Sequence, residues 1–346
     1  MQDTNSSLLV WTEQGLFAPQ GDFYIDPLRP VSHALITHAH SDHARKGSEV
    51  YSCVDVGCDL LRTRLGQSIQ VRGVSYGQEM NLNGLKVSFH SAGHILGSAQ
   101  IRIQRGSEVW VVSGDYKREM DPSCEPFEVV PCDTFVSEAT FGTPQYRWSK
   151  SVQHGKDIFD WWKSNANQGY LSVIFAYSLG KAQRVLAELY SYVDRPIWIH
   201  ESVSVLTQCY QNSGKLLAPT LELPLDLRSF TGSEELVIVP PRSVAGKLLS
   251  EVKKVRTAFV SGWMQSGNFY RSRFFDHGFV MSDHADWDDL NRTIEETGAK
   301  RVFLFHRKNG VLVRHLKKKG IDAHHVSSLA LKNLGQFSQL SLFDTY

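Results

Sequence analysis

Short apolar runs separated by turn residues dominate the first part of the chain: Leu8–Trp11, Phe23–Ile25, Ala34–Thr37, Leu85–Phe89, Ala99–Ile103, Val109–Ser113 and Thr134–Ser137. Each has the length of a strand, and Asn83-Gly84 and Arg105-Gly106 supply turn chemistry between neighbours, so this part reads as β-rich. From about Ser151 the period changes. Apolar residues in Ser151–Asn165 and Lys181–Tyr192 recur at helical spacing, and the strand-like Leu171–Ala176, Ile197–His200 and Glu235–Val239 fall between helices. That alternation predicts a parallel α/β unit. After about Val280 the chain reads as helix Trp287–Thr297, strand Arg301–Phe305 and helix Val311–Lys319, while Ala323–Val326 and Leu340–Phe343 fit either element. There is no repeat and no low-complexity linker. The middle unit, residues 147–280, therefore reads as an insertion into a domain formed by residues 1–146 and 281–346.

Composition narrows the class without naming it. At 346 residues, 42% hydrophobic and 21% charged, the chain can bury a full core, and no apolar stretch is long enough to span a bilayer. The first residues lack the basic segment and apolar run of a secretory signal. The five cysteines form no CxxC pair, and an odd count suits buried free thiols in a reducing compartment. The expectation is a cytoplasmic protein with no membrane segment and no cysteine metal site. A net charge of +1 gives no overall attraction for polyanions, so a nucleic acid would need a local patch.

The most informative run is Thr37-His38-Ala39-His40-Ser41-Asp42-His43, directly after the strand-like Ala34-Leu35-Ile36. Four side chains carrying metal-binding atoms lie within six residues, where one loop can aim them into one cavity. Imidazole and carboxylate are ligand types that suit zinc. Two residues apart on extended backbone, His38 and His40 point the same way, and Asp42-His43 can face a neighbouring position. A merely polar loop is the alternative, and for a single histidine it would be the better reading. Further donors stand at strand ends: His94 in the glycine-flanked Gly93-His94-Ile95-Leu96-Gly97, and Asp115 in Ser113-Gly114-Asp115. Two oxygens on one carboxylate can each hold a cation, so Asp115 is the expected bridge.

In this order the motifs resemble the metallo-β-lactamase superfamily. Ser137-Glu138-Ala139-Thr140, Ser282-Asp283-His284-Ala285-Asp286 and Leu304-Phe305-His306 resemble motifs A, B and C of its β-CASP nucleases, within them the bacterial ligase-associated DNA exonucleases. Phe175–Arg184 and Val260–Met264 look like signatures of the β-CASP cap. The resemblance implies an αββα sandwich carrying an inserted parallel α/β cap. It implies two divalent cations, zinc favoured and manganese the alternative, with His38, His40 and His94 on one, Asp42, His43 and His306 on the other, and Asp115 shared. After His306 the sequence departs from the usual glycine, with Arg307-Lys308-Asn309-Gly310 instead.

The implied activity is hydrolysis of nucleic-acid phosphodiesters. DNA is favoured over RNA, in repair alongside an ATP-dependent DNA ligase and a helicase. Asp42 and Asp115 would serve the metal chemistry, and His284, oriented by Glu138, would protonate the leaving oxygen. Without the motif, His284 reads equally well as a residue beside a helix cap at Ser282 or Asp283. Asp286 and Asp288 suit a helix N-terminus better than a metal. Leu179-Gly180-Lys181, with Arg184 one turn on, is the expected grip on substrate phosphate, and Trp148, Tyr177 and Trp263 are candidate stacking aromatics. An RNA-processing nuclease, a small-molecule hydrolase of the same fold and a non-catalytic scaffold are the competing readings.

Overall fold

The computed structural model describes residues 7–224, 234–250, 254–266, 275–305 and 310–330. Its strands form three sheets. The first holds β1 (Val10–Thr12), β2 (Gly15–Ala18), β3 (Phe23–Ile25), β4 (His33–Leu35), β5 (Val50–Val54) and β6 (Val71–Val74), side by side in chain order. The second contains β7 (Met80–Leu82), β8 (Leu85–Ser91), β9 (Ala99–Arg105), β10 (Glu108–Val112), β11 (Thr134–Ser137), β18 (Arg301–Leu304) and β19 (Asp322–His325). Its order is β19-β18-β11-β10-β9-β8-β7. The third is wholly parallel, in the order β14-β13-β15-β12-β16-β17, from β12 (Leu171–Phe175), β13 (Ile197–Ile199), β14 (Thr220–Glu222), β15 (Leu236–Val239), β16 (Val255–Val260) and β17 (His277–Phe279).

The helices are α1 (Cys58–Leu65), α2 (His154–Ala166), α3 (Lys181–Leu189), α4 (Glu201–Asn212), α5 (Val244–Ser250), α6 (Trp287–Thr297) and α7 (Val311–Lys318). No described helix is long and apolar enough to cross a membrane. All five cysteines are free thiols.

Alternation along the strands explains the layering, because successive side chains leave a strand on opposite faces. In β4 and the residue after it, Leu35 joins Phe23, Val87, Ile101 and Trp110 in the core between the first two sheets. Ala34 and Ile36 turn instead toward α1 and the third sheet. In β18, Phe303 faces the first sheet, whereas Val302 and Leu304 pack with Leu290 and Ile294 of α6 and Leu312 and Leu316 of α7. Two sheets thus lie face to face with helices outside. β12 is apolar on both sides, Leu171, Val173 and Phe175 one way and Ile174 and Ala176 the other, as expected of a parallel strand covered on both faces.

The connectivity decides where a site can form. β11 pairs in parallel register with β18, Ser137 opposite Leu304, although the whole third sheet lies between them in sequence. The ambiguous Ala323–Val326 is mostly strand, β19, followed by a 3₁₀ turn at Val326–Leu329. Leu340–Phe343 lies outside the described residues.

Candidate metal centre

Loops following β4, β8, β10 and β11 open at one end of the sandwich, and the third sheet comes over that end. After β4 the chain stays extended through Ile36-Thr37, then turns, His40 accepting at its carbonyl from the amides of His43 (3.2 Å) and Ala44 (2.8 Å). That turn sends His38 and His40 one way and Asp42 and His43 another. The loop carrying His94 is pinned by Ser98, whose Oγ accepts from the amides of His94 (3.0 Å) and Ile95 (3.2 Å). Asp115 follows Gly114, which has φ +57°, and a Cβ at Gly114 would lie 2.6 Å from Thr37 Cβ. Only glycine lets the Asp115 loop lie against the histidine loop at this distance.

Two donor groups result. Ligand atoms of His38, His40, His94 and Asp115 lie within 4.8 Å of one another, and so do those of Asp42, His43 and Asp115. Asp115 Oδ2 stands 3.6 Å from His38 Nε2, 3.8 Å from His94 Nε2 and 3.5 Å from His43 Nε2. It belongs to both groups. His306 lies outside the described residues.

The outer hydrogen bonds establish which imidazole nitrogens carry lone pairs into the cavity. His94 Nδ1–H donates to the Asp283 carbonyl at 2.7 Å, and His40 Nε2–H to the Leu179 carbonyl at 3.2 Å. Thr37 Oγ1 gives its proton to Asp26 Oδ2 at 2.6 Å and so accepts from His38 Nδ1–H at 3.1 Å. The inward nitrogens then face each other, His40 Nδ1 lying 3.1 Å from His38 Nε2 and 3.0 Å from His94 Nε2. Three lone pairs converging without protons between them are poorly matched to one another and well matched to a cation. Burial lowers the pKa of all three rings, His38 and His94 well below the ordinary value, with neighbouring imidazoles adding to the effect. Neutral imidazole is the ligand form. His43 differs. Burial pulls its pKa down, but Asp115 and Asp26 more than reverse this and hold it well above the ordinary value. The donor set fits a dinuclear metal site, one ion at each group.

Asp26 escapes the sequence reading, because a strand-end Asp-Pro looks like an ordinary turn. With φ +45°, it accepts from Thr37 N at 2.8 Å through Oδ1, and from Thr37 Oγ1 and His43 Nδ1 (2.7 Å) through Oδ2. One carboxylate thereby orients two imidazoles, directly and through a hydroxyl. Outer partners of this kind affect metal affinity by about 10–100-fold. Asp26→Ala is expected to weaken zinc binding by about that factor, measured by competition with a chromophoric chelator; unchanged affinity would remove Asp26 from the site.

A third group adjoins these: Asp115, Glu138 and His284. Glu138, fully buried, accepts from Tyr116 N at 2.7 Å through Oε1 and from His284 Nδ1 at 2.9 Å through Oε2. Burial opposes the charge on His284, but Glu138 and Asp115 outweigh it and raise the pKa to about 9. His284 is not beside a helix cap at Ser282 or Asp283. The cap of α6 is Asp286, which accepts from Asp289 N at 2.8 Å. Ser282 Oγ instead accepts from His284 N at 3.0 Å. Trp148 donates its indole N–H to the His284 carbonyl at 3.0 Å, and Trp263 packs on Phe141 beside it. Tyr177 is half exposed at the end of β12.

Lys181 and Arg184 require a correction. Both were expected to grip phosphate, yet they are 4% and 1% exposed. Lys181 Nζ bonds the Met281 carbonyl at 2.8 Å and pairs with Asp283 Oδ1 at 2.7 Å. Arg184 bonds the Ser282 carbonyl at 2.6 Å and Glu119 at 2.9 Å, with Asp121 at 3.5 Å. A glycine-lysine at a strand-to-helix junction looks alike whether the cation meets substrate or the protein's own carboxylates. Burial brings Lys181 down to about 8 despite Asp283.

A probable DNA ligase of Opitutus terrae is 32% identical over 312 residues, 89% of this chain and 30% of that protein. A transcription termination factor FttA of Methanosarcina mazei is 31% identical over 248 residues, 57% of this chain and 38% of the relative. An endoribonuclease YSH1 of Candida glabrata is 29% identical over 125 residues, 36% and 16% respectively. The chain thus spans under two-fifths of the length of each of these curated relatives. A solved structure of an Enterococcus faecalis protein of unknown function shares the fold, with a TM-score of 0.53 at 12% identity over 79% of this chain and 75% of that one. No family model matches. The fold is the metallo-β-lactamase sandwich with a parallel cap. In its motifs and its donor groups the chain resembles the β-CASP group of the metallo-β-lactamase family.

Proposed function

We propose that the protein is a two-metal phosphodiesterase cutting nucleic-acid backbones, and specifically a DNA exonuclease that works in repair with a DNA ligase. The carrying observation is the pair of donor groups sharing Asp115, beside a buried Glu138–His284 pair. Divalent cations held there would lower the pKa of water toward neutrality and offset phosphate charge during in-line displacement. His38, His40 and His94 would hold one ion and Asp42, His43 and His306 the other. Glu138 keeps the proton on His284 Nδ1 and leaves Nε2 as the nitrogen able to give a proton to the leaving oxygen. Asp42, 59% exposed at its side chain, stands at the mouth of the second group, where substrate arrives.

The ligase connection rests on the relative named a probable DNA ligase, in which a segment like nearly all of this chain accounts for 30% of the length. A ribonuclease is the second reading, favoured by the likeness of a shorter segment to an endoribonuclease. End-labelled single- and double-stranded DNA and RNA, each given in a time course with zinc or manganese, decide between them. Stepwise shortening of DNA, abolished by chelation and restored by the metal, is expected. Cleavage confined to RNA would overturn the DNA reading, and turnover of none of the four substrates would overturn the nuclease.

A further inference from the structure

The start of α3, in the third sheet's unit, touches two of the loops that build the first donor group, and also the segment that leads into His284. The Leu179 carbonyl accepts from His40 Nε2 at 3.2 Å. At Gly180 (φ +86°), a Cβ would lie 2.5 Å from Ile95 Cγ2, in the loop of His94, and 3.7 Å from Asp283 Oδ2. Lys181 and Arg184 then take hold of residues 281–283, through the Met281 carbonyl (2.8 Å), the Ser282 carbonyl (2.6 Å) and Asp283 Oδ1 (2.7 Å from Lys181). That segment in turn presents the Asp283 carbonyl to His94 Nδ1 at 2.7 Å and leads directly into His284.

We infer that Lys181 is a positioning residue of the candidate metal centre: by fixing the 281–283 backbone it aims the Asp283 carbonyl at His94 and sets His284 against Glu138. The inference rests on the two-metal reading above. One carbonyl and one carboxylate occupy the Lys181 ammonium, which at 4% exposure is turned away from any substrate phosphate. Its effect on the reaction passes through the orientation of one imidazole ligand and one acid. Arg184 braces the same segment from the other side, and its own carboxylate partners, Glu119 and Asp121, come from the loop that follows Asp115. The cap helix and the metal-bearing loops are thus joined by buried charges, and His94 and His284 both depend on that joint.

Two variants test this. Lys181→Met keeps the length of the side chain and removes the charge. The double variant Lys181→Met/Asp283→Asn also removes the carboxylate charge that would otherwise be left with Arg184, 3.9 Å away, in place of its nearer partner Lys181. The wild type is titrated with Co²⁺ alone, its visible absorption giving both affinity and ligand geometry, and turnover is measured separately. Expected for both variants is a loss of Co²⁺ affinity of about 10–100-fold with an altered spectrum, and a lower kcat at little-changed KM. A raised KM with wild-type kcat and Co²⁺ binding would make Lys181 a substrate contact and overturn the inference. Wild-type affinity in the double variant alone would assign the effect to the stranded carboxylate rather than to the joint, and would also overturn it. Failure of both variants to fold, followed by circular dichroism, would assign the pair to stability and sink the positioning role. If the wild type itself bound no Co²⁺, the two-metal reading would fall first, and visibly so.

Discussion

Asp115→Asn is expected to abolish turnover, by on the order of 10⁴-fold or more, as when one member of a set that acts as a unit is removed. The carboxylate stands within 3.8 Å of imidazole nitrogens on both donor groups, so its loss weakens both at once. An amide keeps the size of the side chain but carries no charge, and offers one oxygen rather than two. Metal content by mass spectrometry should fall from two ions per chain in step with activity. A variant that kept both ions and wild-type turnover would show that Asp115 is not shared.

The Glu138–His284 pair should give the second largest effect. His284→Ala removes the group proposed above to protonate the leaving oxygen, and general-acid loss costs about 10²–10⁴-fold in kcat. Glu138→Gln leaves a side chain that can still accept from Nδ1 but no longer supplies negative charge to the raised pKa of His284. Because the folded pKa is raised, the imidazolium is present below it and lost as pH rises through it. Glu138→Gln should therefore move the alkaline limb of the kcat profile toward lower pH. Combined with His284→Ala, it should add almost nothing, since the two act together. Full additivity, or an alkaline limb that stays where it is, would separate their roles.

What is legible in the sequence follows from local chemistry. Strand-end placement of His38, His40, His94 and Asp115 can be read because each follows an apolar run of strand length, and the period change near Ser151 marks a unit with its own sheet. The hairpin at Asn83-Gly84 is equally plain, with both residues at positive φ. Elements whose patterns conflict with their periods are less legible. β5, with Ser52 among Tyr51, Cys53 and Val54, and α1, with charges at Asp59, Arg62 and Arg64, carry weak signals, yet both are well covered by the tertiary core. Asp26 cannot be found by spacing, since its role arises only when β3 and β4 lie side by side. Lys181 and Arg184 fail for the opposite reason. Their local motif is clear, but what meets the cation is decided by Asp283, about 100 residues away.

The hydrogen bond between Glu138 and His284 spans 146 positions of chain. Closing so long a loop costs on the order of 4 kcal/mol in chain entropy, which the folded cap offsets before the two residues meet. β18 must also slip in beside β11, so an interior seam of the second sheet stays open until the last part of the chain has emerged. A ribosome releasing this protein therefore exposes most of the histidine ligands early and the complete acid pair late. On the nuclease reading proposed above, a chain cut short within residues 147–280 lacks both His284 and β18 and cannot assemble the Glu138–His284 pair.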